Sequence, residues 1–476
     1  MNTSIYKDYC NERARHYCRV VMRFAQMGWF LCCVAWFAMK SFIDYYFSAD
    51  KRAYMREVCA DLAKKNVLYV KLFQSVALNA NWIDDILHEE LLTYTDNVYW
   101  ETAHINWDMI YILETEHDFV FEDGYTPINT GMISIVFKVT DRKTGEILAV
   151  KMKRLGIEER LRVAIEEFSV LARVASYVPL FKTFQLDKVI EENIRTIKDQ
   201  TNFEVEIQNM VEVQRNCRAI NYIKIPNVKM EFKKYCDNII VMEFIKGVTV
   251  SKVSEEDKIE FSKILIKFTY INLLIHGAMH ADLHAGNVMF IKNENCGADA
   301  ARLKARRTPK YQLGVIDFGI LIRISEEFKG DMYDLFEKVQ TVPAREFVET
   351  AMFIMYDIEQ YLPRIGDEHY ERMIRDPIVV VDKVFYGENG SDVNMLFEIF
   401  SILYFIQDYL KRNKVLDAPL EMKPEFIKMQ TILAMNQGVV TKLCGAKCIS
   451  LVNEVFKETF GSAMPLIVSD KLLGST

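Results

Sequence analysis

Two short stretches carry the side chains that could do chemistry. The first is His280-Ala281-Asp282-Leu283-His284-Ala285-Gly286-Asn287, and the second is Val315-Ile316-Asp317-Phe318-Gly319. Asn287 lies five residues after Asp282. Each stretch adjoins strand-like apolar residues, Val288-Met289-Phe290 after the first and Leu313 to Ile316 leading into the second. Carboxylates and a carboxamide are hard oxygen ligands of the kind Mg²⁺ takes. A triphosphate carries several negative charges, which such a cation neutralises while a phosphoryl group moves. The pattern predicts phosphoryl transfer, with Asp282 orienting an acceptor hydroxyl and Asn287 and Asp317 holding metal. An Asp-Phe-Gly alone is a common tripeptide and a His-x-Asp alone is often a turn. Both in order, each beside strand-like residues, point to a site.

A phosphate site also needs a cation and a cover. Met132 to Val139 alternates, with Ile133, Ile135, Phe137 and Val139 on one face. Asp141 to Glu146 is turn material, and Ile147 to Met152 is a second strand containing Ala149-Val150-Lys151. Lys151 is expected to grip the α- and β-phosphates of ATP, with Ala149 beside the nucleotide; the plain alternative for Lys151 is a strand-end surface lysine. The covering loop, Ile128-Asn129-Thr130-Gly131-Met132, has one glycine and no G-x-G-x-x-G. Only Gly131 then allows close backbone approach to phosphate. Residues 157–220 read as helical. Within them a glutamate should pair with Lys151; Glu206 is the choice, and Glu204 is a rival on periodicity. Asn238 to Ile245 is a strand ended by Lys246-Gly247, placed where backbone groups near Glu243 would meet the adenine edge. Residues 254–276 form a helix with Phe261, Ile264, Leu265, Phe268 and Ile271 on one side. His276, His280 and His284 are spaced in fours, but no acidic helix pattern accompanies them, so a metal site built from them is not expected.

The chain has 476 residues, half of them hydrophobic and 26% charged, enough for a sizeable core in two or three domains. A net charge of -7 argues against a general nucleic-acid binder. Ten Pro and 19 Gly suit a mostly helical chain. The ten cysteines contain no Cys-x-x-Cys pair, and buried reduced thiols are expected. Phe24 to Met39 is uncharged and flanked by Arg23 and Lys40. As a helix it reaches about 24 Å, short of the roughly 30 Å hydrocarbon core. A short span, an in-plane membrane helix and a helix docked on the protein compete, and membrane contact is favoured. Residues 52–65 read as an amphipathic helix. Lys71 and Gln74 follow, three apart and so on one helix face. Further helices are expected at about 84–93 and 107–115. The stretch from Ile291 to Gln312 reads as an insertion carrying Arg302, Lys304, Arg306, Arg307 and Lys310, a solvated loop or a surface for anionic lipid. After Gly319 the chain reads as helical to its end, with a loop at Gly387 to Gly390 and no Ala-Pro-Glu.

Together these residues resemble the UbiB/ADCK (aarF-domain) atypical kinase family. Lys71-Leu72-Phe73-Gln74 is similar to its K-x-G-Q, with Phe73 for glycine, and Ala149-Val150-Lys151 to its V-A-V-K. Glu206 to Asn209 is similar to its E-x-x-N, and Val241 to Gly247 to its V-M-E-Y-x-x-G. His280 to Asn287 resembles its H-x-D-x-H-P-G-N, with Ala285 for proline. Asn129-Thr130-Gly131-Met132 replaces the family's alanine-rich loop. The resemblance implies an α+β, predominantly helical, protein-kinase-like two-lobe fold. In it a helical extension packs over the active site, so that Lys71 and Gln74 join Lys151, Glu206 and Asp282 as catalytic-region residues. Four regions are expected: a membrane-contact segment (1–50), the extension (51–125), an N-lobe with inserted helices (126–245) and a helical C-lobe (246–476). ATP and Mg²⁺ are the implied cofactors. A membrane lipid or lipid-like small molecule is the implied partner, in lipid or isoprenoid-quinone metabolism. Membrane association is implied as well; an intracellular location at a mitochondrial or other organelle membrane and a homodimer are further expectations. A weakly catalytic nucleotide-binding scaffold, favoured by Phe73 and the altered loop, is the first alternative. An aminoglycoside/choline-type small-molecule kinase is the second, opposed by K-x-x-Q and E-x-x-N.

Overall fold

The computed structural model describes residues 51–65, 98–175, 200–293, 309–338, 341–383, 405–417 and 419–447, with isolated positions elsewhere toward both termini. Lys71, Phe73, Gln74, the 84–93 helix, the tip of the insertion and the 387–390 loop lie outside the described residues, as does most of Phe24 to Met39. The chain divides into two compact units, Met1–Gly145 with Val150–Thr201, and Glu146–Ala149 with Asn202–Thr476.

In the first unit, α1 (Lys51–Lys65) occupies the span expected from periodicity. Helix α2 (Trp107–His117) starts where the Asn106 side chain accepts from the Met109 N–H at 3.2 Å, and stops at Asp118 in a left-handed conformation. It buries Met109, Ile110 and Leu113. Strands β1 (Phe119–Phe121) and β2 (Asn129–Thr130) both pair antiparallel with β3 (Ser134–Asp141), with Phe119 opposite Asp141 and Asn129 opposite Val136. The expected alternation holds: Ile133, Ile135, Phe137 and Val139 are all buried. At the following turn the Asp141 carboxylate accepts from the Lys143 N–H and the Thr144 hydroxyl, both at 2.8 Å, and Gly145 supplies a φ of +71°. Strand β4 (Ile147–Lys153) comes next, and the division between units falls within it. Helix α3 (Ile157–Ala175) turns Ile157, Leu161 and Ala164 onto a core that also holds Ile133 and Leu68, with Tyr69 and Met132 packed on it.

In the second unit, α4 (Phe203–Asn216) is capped by Asn202, whose Oδ1 accepts from Glu204 and Val205. The long helical stretch expected over 157–220 is thus interrupted by a start signal at 202. Phe203 and Ile207 pack on Ile240 of β6 (Ile239–Glu243). Strand β5 (Ile223–Lys224) pairs parallel with β9 (Tyr311–Val315), which pairs antiparallel with β8 (Val288–Lys292). The insertion is therefore the excursion of a β8–β9 hairpin. Helix α5 (Lys258–Ile271) buries Phe261, Leu265, Phe268 and Ile271 and ends in a π-turn over Asn272–His276, closed by Gly277 at φ +61°. It is covered by α9 (Pro424–Cys444), whose Asn436 Nδ2 donates to Thr269 Oγ1 at 3.0 Å. Between them run α6 (Glu326–Lys338), α7 (Ala344–Met355) and α8 (Leu362–Val381).

One expectation needs correcting. The chain is not helical directly after Gly319: β10 (Leu321–Arg323) pairs antiparallel with β7 (Ala278–His280), Leu321 opposite His280. Three residues are too few for a period to show in sequence.

Candidate functional site

Strand register brings the two sequence motifs together. Val288 is opposite Val315, and the Ile316 N–H donates to the Asn287 carbonyl at 3.1 Å. Asn287 and Asp317 therefore leave the same end of the hairpin. The chain after Asp317 returns through β10 to lie beside β7, which feeds the loop holding Asp282. The Ala281 N–H donates to Ile320 O at 3.1 Å, closing that return.

His280 joins the two motifs. Its Nδ1 accepts from the Asp282 N–H at 3.2 Å, and its Nε2 faces the Asp317 carbonyl. An unprotonated Nδ1 and a protonated Nε2 satisfy both partners, so His280 is a neutral imidazole of defined tautomer. Burial pushes its pKa below the usual value, against smaller raising effects of the Asp317 carbonyl and of Asp317 and Asp282 charge. Its ring meets Phe318 edge-on, with centroids 5.4 Å apart. His284 likewise uses Nδ1, accepting from the Gly286 N–H at 3.1 Å. His280 and His284 are each committed to shaping this loop, and the His276 ring lies 3.4 Å from the Asn272 carboxamide.

The Asp282 carbonyl accepts from Asn287 Nδ2 at 2.8 Å and from the His284 N–H at 2.9 Å. Because its Nδ2 is spent there, Asn287 offers its Oδ1, the atom a hard cation takes. Asp317 Oδ1 accepts from the Gly319 N–H at 2.9 Å. Among the described residues no group of three His, Cys, Asp or Glu converges on one point. A carboxylate and a carboxamide oxygen fit Mg²⁺ that completes its shell with phosphate oxygens and water, and fit a tetrahedral N/S-liganded ion poorly.

Helix α4 grips this segment from behind. Glu206, 1% exposed, has Oε1 3.5 Å from the Phe318 N–H, and Asn209 Nδ2 donates to the Phe318 carbonyl at 3.0 Å. Glu204, the rival on periodicity, sits on the outer face, paired with Lys233 at 3.2 Å. Glu243, at the end of β6, gives its N–H to Asn227 O at 2.9 Å. Its carboxylate is held by Lys224 at 2.5 Å and Asn227 Nδ2 at 2.9 Å, so its side chain serves the strand end. Ala149 is buried in the part of β4 that belongs to this unit.

In the first unit Lys151 is 6% exposed on β4, so it is not a strand-end surface lysine. Gly131 is tied on both sides: its N–H donates to Ser134 O at 2.8 Å and its carbonyl accepts from Arg154 Nε at 3.0 Å. Arg154, buried, also donates to Tyr99 O at 2.9 Å and Val98 O at 3.4 Å and meets His104 Nδ1 at 2.8 Å. Burial and the nearby Arg160 push its pKa down to about 10. Sequence reasoning passed over Arg154; its one signal is a charged residue directly after an apolar strand. Leu68 and Tyr69, which precede Lys71, pack on Ile133, Ile157 and Leu161 beside the covering loop.

The loop, the Asp317 carboxylate and the helix behind it suit a protein-kinase-like domain. The chain belongs to the ABC1 atypical kinase-like family, whose model matches residues 108–351. It is 22% identical over 326 residues to an uncharacterized aarF domain-containing protein kinase of Arabidopsis thaliana chloroplasts, covering 67% of this chain and 42% of that one. It is 28% identical over 184 residues to a probable protein kinase UbiB of Aeromonas hydrophila, covering 37% and 33% of the two chains. With AarF domain-containing protein kinase 1 of Mus musculus it shares 23% over 228 residues, 47% and 40% of the chains. The chain thus spans less than half the length of these relatives. Among solved structures, the Rio2 kinase of Chaetomium thermophilum, described as an ADP/Mg²⁺-phosphoaspartate complex, aligns at 14% identity and a TM-score of 0.28 over 68% of this chain and 85% of that one.

Proposed function

We propose that the chain is an Mg-ATP-dependent atypical kinase or ATPase of the UbiB/ADCK type, acting at a membrane on a lipid or lipid-like molecule. The observation that carries this reading is the convergence of Asn287 and Asp317 at one end of the β8–β9 hairpin, with Asp282 in the adjoining loop. Magnesium, when bound, supplies neutralising charge to the triphosphate. Asn287 Oδ1 and the Asp317 carboxylate would hold it. Asp282 orients the acceptor hydroxyl or water and takes its proton. Lys151 binds phosphate oxygens with Glu206 setting its reach, the Gly131 turn covers the phosphates, and the backbone near Ala149 and Glu243 receives the base. Lys71 and Gln74 act on the catalytic region from the extension, in keeping with Leu68 and Tyr69 docked beside the covering loop.

Membrane action is supported by exposed Trp36, Met39, Ile43, Tyr46 and Phe47, which recur every three or four residues. Among the described residues no helix is long and apolar enough to cross a membrane. The isoprenoid-quinone setting rests on the family resemblance.

The test is phosphate release from Mg-ATP by the full chain with anionic liposomes. Asp317→Asn should lower it by roughly 100-fold or more, the usual scale for removing a group that acts on transition-state charge. Unchanged turnover in that variant refutes the assignment. A nucleotide-binding scaffold is the second reading, and the commitment of the Gly131 N–H to Ser134 favours it. ATP binding without phosphate release under every liposome composition would select it.

A further inference from the structure

Arg323 stands in a chain of hydrogen bonds behind the Asp317 segment. Its Nη2 donates to Asn209 Oδ1 at 3.0 Å and to the Glu212 carboxylate. Asn209 Nδ2 donates in turn to the Phe318 carbonyl at 3.0 Å. A carboxamide can present either end. A guanidinium has only donors and a peptide carbonyl only accepts, so with Arg323 on one side and Phe318 on the other a single orientation of Asn209 satisfies both. Without Arg323, the Asn209 Oδ1 loses this donor and only the bond to the Phe318 carbonyl is left to hold the carboxamide. Strand β10 makes the arrangement possible: Arg323 lies opposite Ala278 in the β7–β10 ladder, which fixes where the guanidinium emerges. The two peptide units flanking Phe318 are then held, at its carbonyl by Asn209 and at its N–H by Glu206, one residue beyond Asp317.

We propose that Arg323 is a positioning residue, which through Asn209 fixes the backbone at Phe318 and so aims the Asp317 carboxylate at the metal, without any modification of the segment after Gly319. This rests on the assignment of Asp317 as a metal ligand. In kinases regulated by phosphorylation, arginine–phosphate pairs order the segment after the metal aspartate; here an arginine within that segment pairs with Glu212 and Asn209 of α4.

The experiment measures Mn²⁺ affinity of the full chain in the presence of ADP by electron paramagnetic resonance, with the melting temperature recorded for each protein. Supporting partners of metal ligands typically govern affinity by 10- to 100-fold. Arg323→Gln should weaken Mn²⁺ binding by about 10-fold, Glu212→Gln by less, and Arg323→Lys should fall between Arg323→Gln and the parent. Melting temperatures should stay close to the parent's, because the Arg323 side chain is half exposed. Amide exchange at Phe318 and Gly319 should quicken in the same order. Asp317→Asn is the control. If it abolishes Mn²⁺ binding while Arg323→Gln and Glu212→Gln bind as the parent does, the positioning role falls and the metal assignment stands. If Asp317→Asn itself binds normally, the metal assignment falls and the role of Arg323 with it.

Discussion

Replacing Arg154 by methionine, which keeps the length and removes the donors, measures what holds the Gly131 turn in place. Of the lost hydrogen bonds to backbone carbonyls, two are short, to Gly131 O at 3.0 Å and Tyr99 O at 2.9 Å, and the third, to Val98 O at 3.4 Å, is weak; the contact with His104 Nδ1 at 2.8 Å is lost as well. Hydrogen bonds from a charged group contribute about 1.5–3 kcal/mol each, so the two good ones give about 3–6 kcal/mol. Against this, the variant no longer carries a buried guanidinium, whose desolvation already lowers its pKa to about 10. A net local loss of about 2–3 kcal/mol is expected. The assay is native-state amide exchange at Gly131, whose N–H donates to Ser134 O. Exchange there should speed up roughly 30- to 150-fold, while amides of the α5 core in the other unit keep their rates. Arg154→Lys should recover part of the protection through a single donor group. Exchange at Gly131 within about 3-fold of the parent's would show that the turn is held by its own β2–β3 pairing and that the arginine contributes nothing.

The lowered pKa of His280 means that the unfolded chain takes up a proton the folded chain refuses, so stability is complete above the ordinary histidine pKa near 6.5 and declines as pH falls below it. His280→Asn should flatten the fall in unfolding free energy between pH 6.5 and the lower folded-state value by up to about 1.4 kcal/mol per pH unit, and an unchanged slope argues against the buried neutral tautomer. Asp257 is held down to about 2 despite burial, by Lys292, Ser254 and Tyr311. Its stabilisation is present above pH 3.8 and lost toward pH 2, so Asp257→Asn should unfold at a less acidic midpoint than the parent loses structure; coincident acid transitions would contradict this. A Cβ at Gly314 would sit 2.8 Å from Ile245 Cγ2, so Gly314→Ala should cost about 1–3 kcal/mol in urea unfolding, with partial relief by Ile245→Ala, and a neutral substitution would mean that β9 shifts freely.

Much of the site could be read from residue type and spacing because the chemistry itself is local. Asp282 and Asn287 lie in one loop, and the apolar runs that flank them became β8 and β9, whose register carries Asp317 to their side. The alternation at Ile133 to Val139 was equally plain, since one buried face of a strand repeats every second residue. Three things were hidden. The choice between Glu204 and Glu206 turns on which side of α4 is buried, and two residues of the same type two positions apart cannot reveal that. The strand after Gly319 is too short for a period. The partners of Arg154 and Arg323 are distant in sequence, 55 residues to Tyr99 and 114 to Asn209, so no local pattern announces them.

Phe318 is fully buried, edge-on to His280, with its own N–H and carbonyl engaged by Glu206 and Asn209. For inhibitor design this is a constraint. A compound that gains affinity by expelling the aromatic residue next to Asp317 would have to break both backbone hydrogen bonds and leave the Asn209 carboxamide facing a void. Ligands for this protein are better sought among molecules that accept the closed aromatic latch and compete for the ground in front of it.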